Sequence, residues 1–220
     1  RYVLFASTAN NLLLTSSNAP IPAAFPARLN VFLRDRTHGT NALVSVNLTG
    51  VAGGNGDSLP SAISTNGQFA LFESRASDLV TGDTNNTTDV FLRDLVNETT
   101  TLVGVSTNGG VGNGDCRGSV MTPDGRYVAF VSAANNLVPN DTNNIADVFV
   151  RDLQTGVTTL VSDGAKARQV SPRPSSASEL PVITPDGRYV AFHSTATNLV
   201  PAATNRSEEH TSELQSRQVI

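Results

Sequence analysis

The chain is built from repeats: three short patterns recur along it at intervals of about 60 residues. The first is a run ending in phenylalanine, at residues 2–5, 69–72, 127–130 and 189–192. The second is Val-Phe-Leu/Val-Arg-Asp, at 31–35, 90–94 and 148–152, and the third is a Leu-Val-Ser/Gly segment at 43–45, 102–104 and 160–162. Each copy must form the same unit and bury its apolar surface against its neighbours, so this repeat constrains the fold more than any other feature.

Each repeat contains four short β segments, named A to D, which in the third copy cover residues 118–122, 126–132, 146–152 and 157–162. Segments A and B are joined by the tight turn at 123–125, Pro-Asp-Gly, which recurs at 185–187. Proline presets φ in such a turn and glycine accepts a positive φ. Segment B is apolar at successive positions, Tyr127 to Val131. Both of its faces are therefore predicted to be covered.

Four antiparallel strands with short turns and two covered faces are typical of a β-propeller blade. A β-sandwich is the alternative, but constant repeat spacing favours radial repetition. We predict an all-β fold, a β-propeller fragment with four-stranded antiparallel blades of about 60 residues, forming an open arc of about three blades. The expected blades are residues 1–46, lacking strand A, then 59–105, 118–162, and 179–205, which stops after strand B.

The segment at 123–130, Pro-Asp-Gly-Arg-Tyr-Val-Ala-Phe, and its copy at 185–192 resemble the WD-repeat-like propeller units of TolB-type proteins from bacterial envelopes. The end of segment C, Arg151-Asp152, resembles the same point of WD repeats, with arginine in place of tryptophan. The resemblance covers roughly residues 1–205, although WD repeats are shorter, at about 40–45 residues. It implies a scaffold that binds proteins or ligands outside the cytoplasm and carries out no chemistry.

The last residues, 206–220, depart from the repeat. Positions 209–211 should read Asp-Val-Phe, but they are Glu209, His210 and Thr211. The stretch 206–216 resembles an in-frame translation of a short-read sequencing adapter, and 217–220 would then be index sequence; a natural polar tail is the alternative. We expect an artefactual or disordered tail outside the propeller, because it has neither blade periodicity nor an apolar face.

Composition narrows the classes of function. The net charge is −4 and no basic stripe occurs, which argues against a nucleic-acid partner. No apolar run is long enough to predict membrane insertion. Cys116 is the single cysteine, so the chain has no internal disulfide. The abundance of uncharged polar residues is typical of exported proteins. We therefore expect a periplasmic or extracellular location, with any signal peptide upstream of Arg1.

Motifs for catalysis or cofactor binding are absent from the sequence. It contains no Gly-x-Ser-x-Gly elbow, no zinc-ligand cluster and no phosphate-binding loop. The glycine clusters at 53–57 and 110–115 precede β segments rather than helices. We therefore expect this chain to be non-catalytic and to bind no cofactor, with calcium as the one candidate ion.

The loops between segments B and C suggest that candidate. Two of them share the spacing Asp-x-Asn-x-x-x-Asp, which places oxygen ligands at Asp83, Asn85, Asp89, Asp141, Asn143 and Asp147. Calcium is bound by six to eight oxygens, and one such loop supplies only part of that shell. The alternative is that these residues form Asx turns. Asn30 and Ala203 replace aspartates of the motif in the other copies, so a metal common to all blades is not expected.

Strand direction places the candidate binding face. The A–B and C–D turns lie at one end of an antiparallel blade, and the long B–C and D–A connections lie at the other. Binding residues concentrate on long loops held by a rigid scaffold. We therefore expect the second end to contact a protein or extracellular ligand, with an acidic character. The candidate residues are Asp57, Asn113, Asp115 and Asn140, together with the carboxylates at 83, 89, 141 and 147.

Two functions fit these features. The first is a non-catalytic scaffold of the bacterial envelope or the extracellular space. The second is an accessory propeller of an exported hydrolase or polysaccharide-degrading enzyme whose catalytic domain lies outside this sequence. Fold alone does not choose between them, because function resides in sites carried by the fold.

Overall fold

The computed structural model describes residues 1–13, 27–165, 178–196, 199 and 214–218. These residues form β-strands joined by turns and loops. The strands are β1 (Tyr2–Ser7), β2 (Asn30–Asp35), β3 (Thr40–Leu43), β4 (Ser58–Ile63), β5 (Phe69–Ser74), β6 (Asp89–Asp94), β7 (Thr99–Leu102), β8 (Cys116–Met121), β9 (Tyr127–Ser132), β10 (Asp147–Asp152), β11 (Val157–Leu160), β12 (Ser178–Ile183), β13 (Tyr189–Ser194) and β14 (Leu214–Gln218).

The strands form four antiparallel sheets in chain order, which we number as blades one to four. Blade one is β1-β2-β3, blade two is β4-β5-β6-β7, blade three is β8-β9-β10-β11, and blade four is β12-β13-β14. Each strand A, at β4, β8 and β12, carries a register shift. The all-β fold with four-stranded antiparallel blades in an open arc is confirmed.

The core lies between blades rather than inside one sheet. Leu71 and Val90 of blade two pack with Val128 and Phe130 of blade three in one buried cluster. Equivalent clusters join blade one to blade two and blade three to blade four. Strands B and C therefore bury both faces, which explains their continuous apolar sequence. Within each of the first three blades, phenylalanines of strands B and C stack, with ring centroids 5.6–5.8 Å apart.

A repeated contact between an aromatic ring and a glycine fixes neighbouring blades at their tight-turn end. The ring of Phe69, at the start of strand B in blade two, lies against the A–B turn of blade three. A Cβ on Gly125 would come within 2.5 Å of its Cδ2. Gly125 also has φ +78°, which favours glycine. The same contact joins Tyr2 to Gly67 and Tyr127 to Gly187. The same packing therefore recurs between successive blades, as expected for a repeat architecture.

Strand β14 lies in the tail for which the sequence predicts no regular structure. It pairs antiparallel with β13, from Tyr189↔Gln218 to His193↔Leu214, in the position that strand C takes in the complete blades. For residues 214–218 the structure thus differs from the expectation. The physical reason is that the outer edge of β13 presents backbone groups that need hydrogen-bond partners, whatever the side chains of the added strand.

Candidate binding face

The long connections gather at one end of the blades, which we call the long-loop face. It is formed by the B–C loops at 75–88 and 133–146 and by the D–A loops at 44–57 and 103–115. The opposite end carries the A–B and C–D turns, where an aspartate such as Asp152 accepts hydrogen bonds from the next backbone N–H groups. The antiparallel strand order therefore separates long loops from tight turns, as predicted.

Hydrogen bonds of asparagine residues hold the D–A loops to the B–C loops. The backbone N–H of Asn113 donates to Asn136 Oδ1 at 3.0 Å, and its side chain both donates to Asn135 Oδ1 and accepts from the Asn135 N–H. Asn55 makes the equivalent bonds with Ser77 and Asp78 one blade earlier. These asparagines hold the loops in place, so their amides are engaged within the protein.

The aspartate that ends each Asn-Gly-Asp motif joins two blades. Asp57 Oδ1 accepts the N–H of Leu29 at 2.9 Å, and Asp115 Oδ1 accepts the N–H of Thr88 at 3.0 Å. Both aspartates remain exposed. Among the described residues, the second carboxylate oxygen of each has no hydrogen-bond partner. Each aspartate thus accepts a structural hydrogen bond through one carboxylate oxygen and keeps its negative charge exposed to solvent.

The candidate calcium loops are held by their own hydrogen bonds. Asn85 Nδ2 donates to Asp89 Oδ2 and to the carbonyl of Gly112, both at 2.9 Å, while Asn85 Oδ1 accepts the Thr87 N–H in an Asx turn. Asn143 repeats this arrangement with Asp147 and Ala165. In the part of the chain that the structure describes, no group of three or more His, Cys, Asp or Glu side chains is placed to hold a metal.

Burial separates these carboxylates into two groups. Asp89 and Asp147 are fully buried and Asp141 is 8% exposed, whereas Asp83 is half-buried. Asp89 and Asp147 therefore cannot contribute to an acidic surface, and that part of the prediction is wrong. Both begin strand C, where the following blade covers them. Asn140 is exposed and adopts φ +64°, so it shapes the loop.

Burial also changes the acidity of these groups. Desolvation raises the pKa of Asp89 to about 7, and the nearby Asp83 and Asp115 carboxylates add to that effect, while the Asn85 amide opposes it. Desolvation likewise raises the pKa of Asp147, against hydrogen bonds from Ser162 and Asn143. Desolvation also raises the pKa values of Asp83 and Asp141.

The interface between blades two and three lacks a hydrogen bond that the equivalent positions of blades one and three make. Ser162 donates to Asp147 Oδ1 at 2.5 Å, and Ser45 donates to Asn30 Oδ1 at 3.2 Å. Gly104 occupies this position in blade two, and the buried Asp89 Oδ1 has no hydrogen-bond partner in the part of the chain that the structure describes. The space is filled by Cys116, whose Sγ would lie 2.7 Å from a Cβ on Gly104.

Desolvation raises the pKa of the Cys116 thiol to about 12. A nucleophilic or redox role therefore does not suit this cysteine. The sequence carries a signal for this difference. The residue pairs 30/45, 89/104 and 147/162 occupy equivalent positions, and only the pair in blade two lacks a hydroxyl.

No family model matches the chain, and no curated protein matches it. Among solved structures, a putative TolB from Agrobacterium tumefaciens superimposes with a TM-score of 0.50 at 17% identity, over 87% of this chain and 53% of that one. The chain has the β-propeller fold. It spans about half the length of that structure.

Two further matches have lower TM-scores. TolB from Acinetobacter baumannii matches with a TM-score of 0.44 at 17% identity, over 87% of this chain and 35% of that one. The β-propeller domain of the trilobed protease from Pyrococcus furiosus matches with a TM-score of 0.45 at 8% identity, over 87% and 49%. Within the described ranges of this propeller, no helix has the length and apolarity needed to cross a membrane.

Proposed function

We propose that this chain is part of a non-catalytic β-propeller scaffold of the bacterial envelope or the extracellular space, which binds a protein or another ligand through its long-loop face. The observation that carries the proposal is the pair of exposed carboxylates, Asp57 and Asp115, at equivalent positions of successive blades. Each is fixed by a bond to the preceding blade. Fixed charges suit recognition, because little entropy is lost when a partner binds.

The charge of these two positions indicates the chemistry of the partner. With Asp89 and Asp147 buried, the acidic character of the face rests on Asp57, Asp115 and the half-buried Asp83. Electrostatic complementarity then favours a basic segment of a partner protein.

An accessory propeller of an exported hydrolase or polysaccharide-degrading enzyme is the alternative. This chain would have the same binding role there, because the chemistry would reside in another domain. The reading frame that flanks this sequence distinguishes the two: a catalytic domain in it favours the enzyme.

The test uses a fluorescent oligolysine peptide as the probe and compares single variants. Asp57→Asn and Asp115→Asn remove the charge but keep an oxygen that accepts the backbone N–H. Asp124→Asn is the matched control at the tight-turn end, where Asp124 Oδ1 accepts from Thr122 and from the Arg126 N–H.

We expect each variant of the long-loop face to weaken binding by about two- to fivefold at low salt, as for exposed charge pairs. Asp124→Asn should leave the affinity unchanged. Equal losses from both ends, or an affinity that does not depend on salt, would contradict the proposal.

A further inference from the structure

A groove of about 610 Å³ lies between the outer parts of blades one and two. Part of its wall is aliphatic, contributed by Leu43, Val46, Leu48, Leu79 and Leu95, and the rest is polar. Leu48 is 56% exposed, which leaves an apolar wall open to solvent. Volumes of this size are typical of sites for small molecules, which combine an apolar lining with a few polar groups that orient the ligand.

A cation lines this groove. Arg93 of strand β6 donates from Nη1 to Thr100 Oγ1 at 3.2 Å, and among the described residues its Nε has no hydrogen-bond partner. Within the described ranges it forms no ion pair within 4.0 Å. Burial lowers the pKa of Arg93, as expected for a guanidinium whose charge is poorly compensated. Its counterpart Arg34 in blade one instead donates to the carbonyl of Gly39 at 2.7 Å.

The rim of the groove differs in one residue from the corresponding turns of blades one and three. At the C–D turn, blades one and three place Gly39 and Gly156 at φ +68° and +72°, whereas blade two places Glu98 at φ +55°. A residue with a Cβ is strained in this conformation. Glu98 lines the groove and is the carboxylate with the largest electrostatic effect on Arg93. It thus partly offsets the positive charge from the solvent side.

We propose that the groove between blades one and two binds an aliphatic monocarboxylate, with its chain along the wall near Leu48 and its carboxylate at Arg93. Guanidinium groups match carboxylates in geometry and bind them through two parallel N–H donors. The aliphatic part of the wall favours a long alkyl chain over a small polar acid. The groove shares the loops at 44–57 and 75–88 with the long-loop face, but Asp57, Asp83 and Asp115 do not line it, so this site does not depend on the acidic partner contact proposed above.

The test is calorimetric titration with decanoate, beside decanol and decylamine as neutral and cationic analogues of the same length. Decanoate should bind at least about tenfold more tightly than either analogue, because a charge-assisted hydrogen bond is lost in both. Backbone amide shifts in NMR spectra should locate the ligand at Leu48, Leu79 and Thr100. Equal binding of all three molecules, no binding of decanoate at millimolar concentration, or shifts elsewhere would overturn the proposal.

Matched variants separate the site from general effects on folding. Arg93→Gln should weaken decanoate binding by about tenfold. Arg151→Gln should not, since Arg151 makes the same bond, to Thr158 at 2.9 Å, one blade further on. Equal losses from these two variants would contradict the site.

Two further variants keep the test informative if Arg93→Gln fails to fold. Leu48→Glu places a carboxylate on the exposed wall and should abolish binding, while Thr107→Glu, at the equivalent position of the next D–A loop, should not. Glu98→Gly restores the residue of the other blades and should strengthen binding, because it removes the competing carboxylate. Weaker binding by Glu98→Gly, or an unchanged affinity in Leu48→Glu, would contradict the assignment.

Discussion

Asp89, whose Oδ1 has no hydrogen-bond partner among the described residues, should make the stability of the propeller depend on pH. Asp89 is fully buried at the interface between blades two and three, and its Oδ1 lacks the hydroxyl donor that Ser162 supplies to Asp147. Among the described residues, the titratable groups near it are the carboxylates of Asp83 and Asp115 and the thiol of Cys116, and no cation compensates its charge. Its protonated form is therefore favoured in the folded state.

The size and sign of the effect follow from the pKa. Folding raises the pKa of Asp89 from 3.8 to about 7. Between these values the folded chain binds a proton that the unfolded chain does not, so the free energy of unfolding falls as pH rises. The stabilisation is complete below pH 4 and is lost as pH rises through 7. Each unit corresponds to about 1.4 kcal/mol, which gives an upper bound of about 3 kcal/mol lost between pH 5 and pH 8.

Urea denaturation from pH 5 to pH 8, in buffer with EDTA, measures this dependence. Asp89→Asn places in blade two the residue that blade one has at Asn30 and should remove most of the slope. The double variant Gly104→Ser with Cys116→Ser supplies the missing hydroxyl without a clash and should reduce the slope. Asp147→Asn should change it less than Asp89→Asn. Equal losses of stability in the original chain and in Asp89→Asn over this range would show that Asp89 does not cause the pH dependence.

Two further predictions concern a turn and the acidic loops. In urea denaturation, Gly125→Ala should destabilise the chain by about 3 kcal/mol and Gly82→Ala by about 1 kcal/mol. Both glycines have a positive φ, but only Gly125 lies against an aromatic ring. Equal losses of stability would contradict the packing of Phe69 against Gly125. Any heat from calorimetric titration with Ca²⁺ should come only from the loops at 83–89 and 141–147, and Asp83→Ala and Asp141→Ala should then each reduce it. Identical heats in all three proteins would exclude calcium there.

Local sequence was sufficient to predict the strands, the turns and the blade, because each repeat carries its own signals. The Pro-Asp-Gly turn at 123–125 and the paired phenylalanines at 130 and 149 specify register and core within one blade. The positions of Asp57 and Asp115 on the long loops also followed from strand direction. These features depend on contacts within a repeat or on the direction of the chain.

What sequence could not predict depends on contacts between blades. Asp83 and Asp89 are the two aspartates of one Asp-x-Asn-x-x-x-Asp motif, and the motif does not indicate which of them is buried. Only Asp89 is fully buried, because the next blade covers the start of strand C. Gly104 stands where blades one and three have a serine, and the reason is that Cys116 of the next repeat packs against it. The strand at 214–218 likewise follows from the open edge of β13 and not from its own pattern.

NMR cross-relaxation between aromatic and glycine protons tests the arrangement of successive blades. We expect cross-peaks from the ring protons of Tyr2, Phe69 and Tyr127 to the Hα protons of Gly67, Gly125 and Gly187, respectively, with those Hα signals shifted upfield by the rings. Each pair joins successive blades and has no counterpart in a sandwich. Cross-peaks confined to residues of the same repeat, with unshifted glycine Hα signals, would contradict the propeller arrangement.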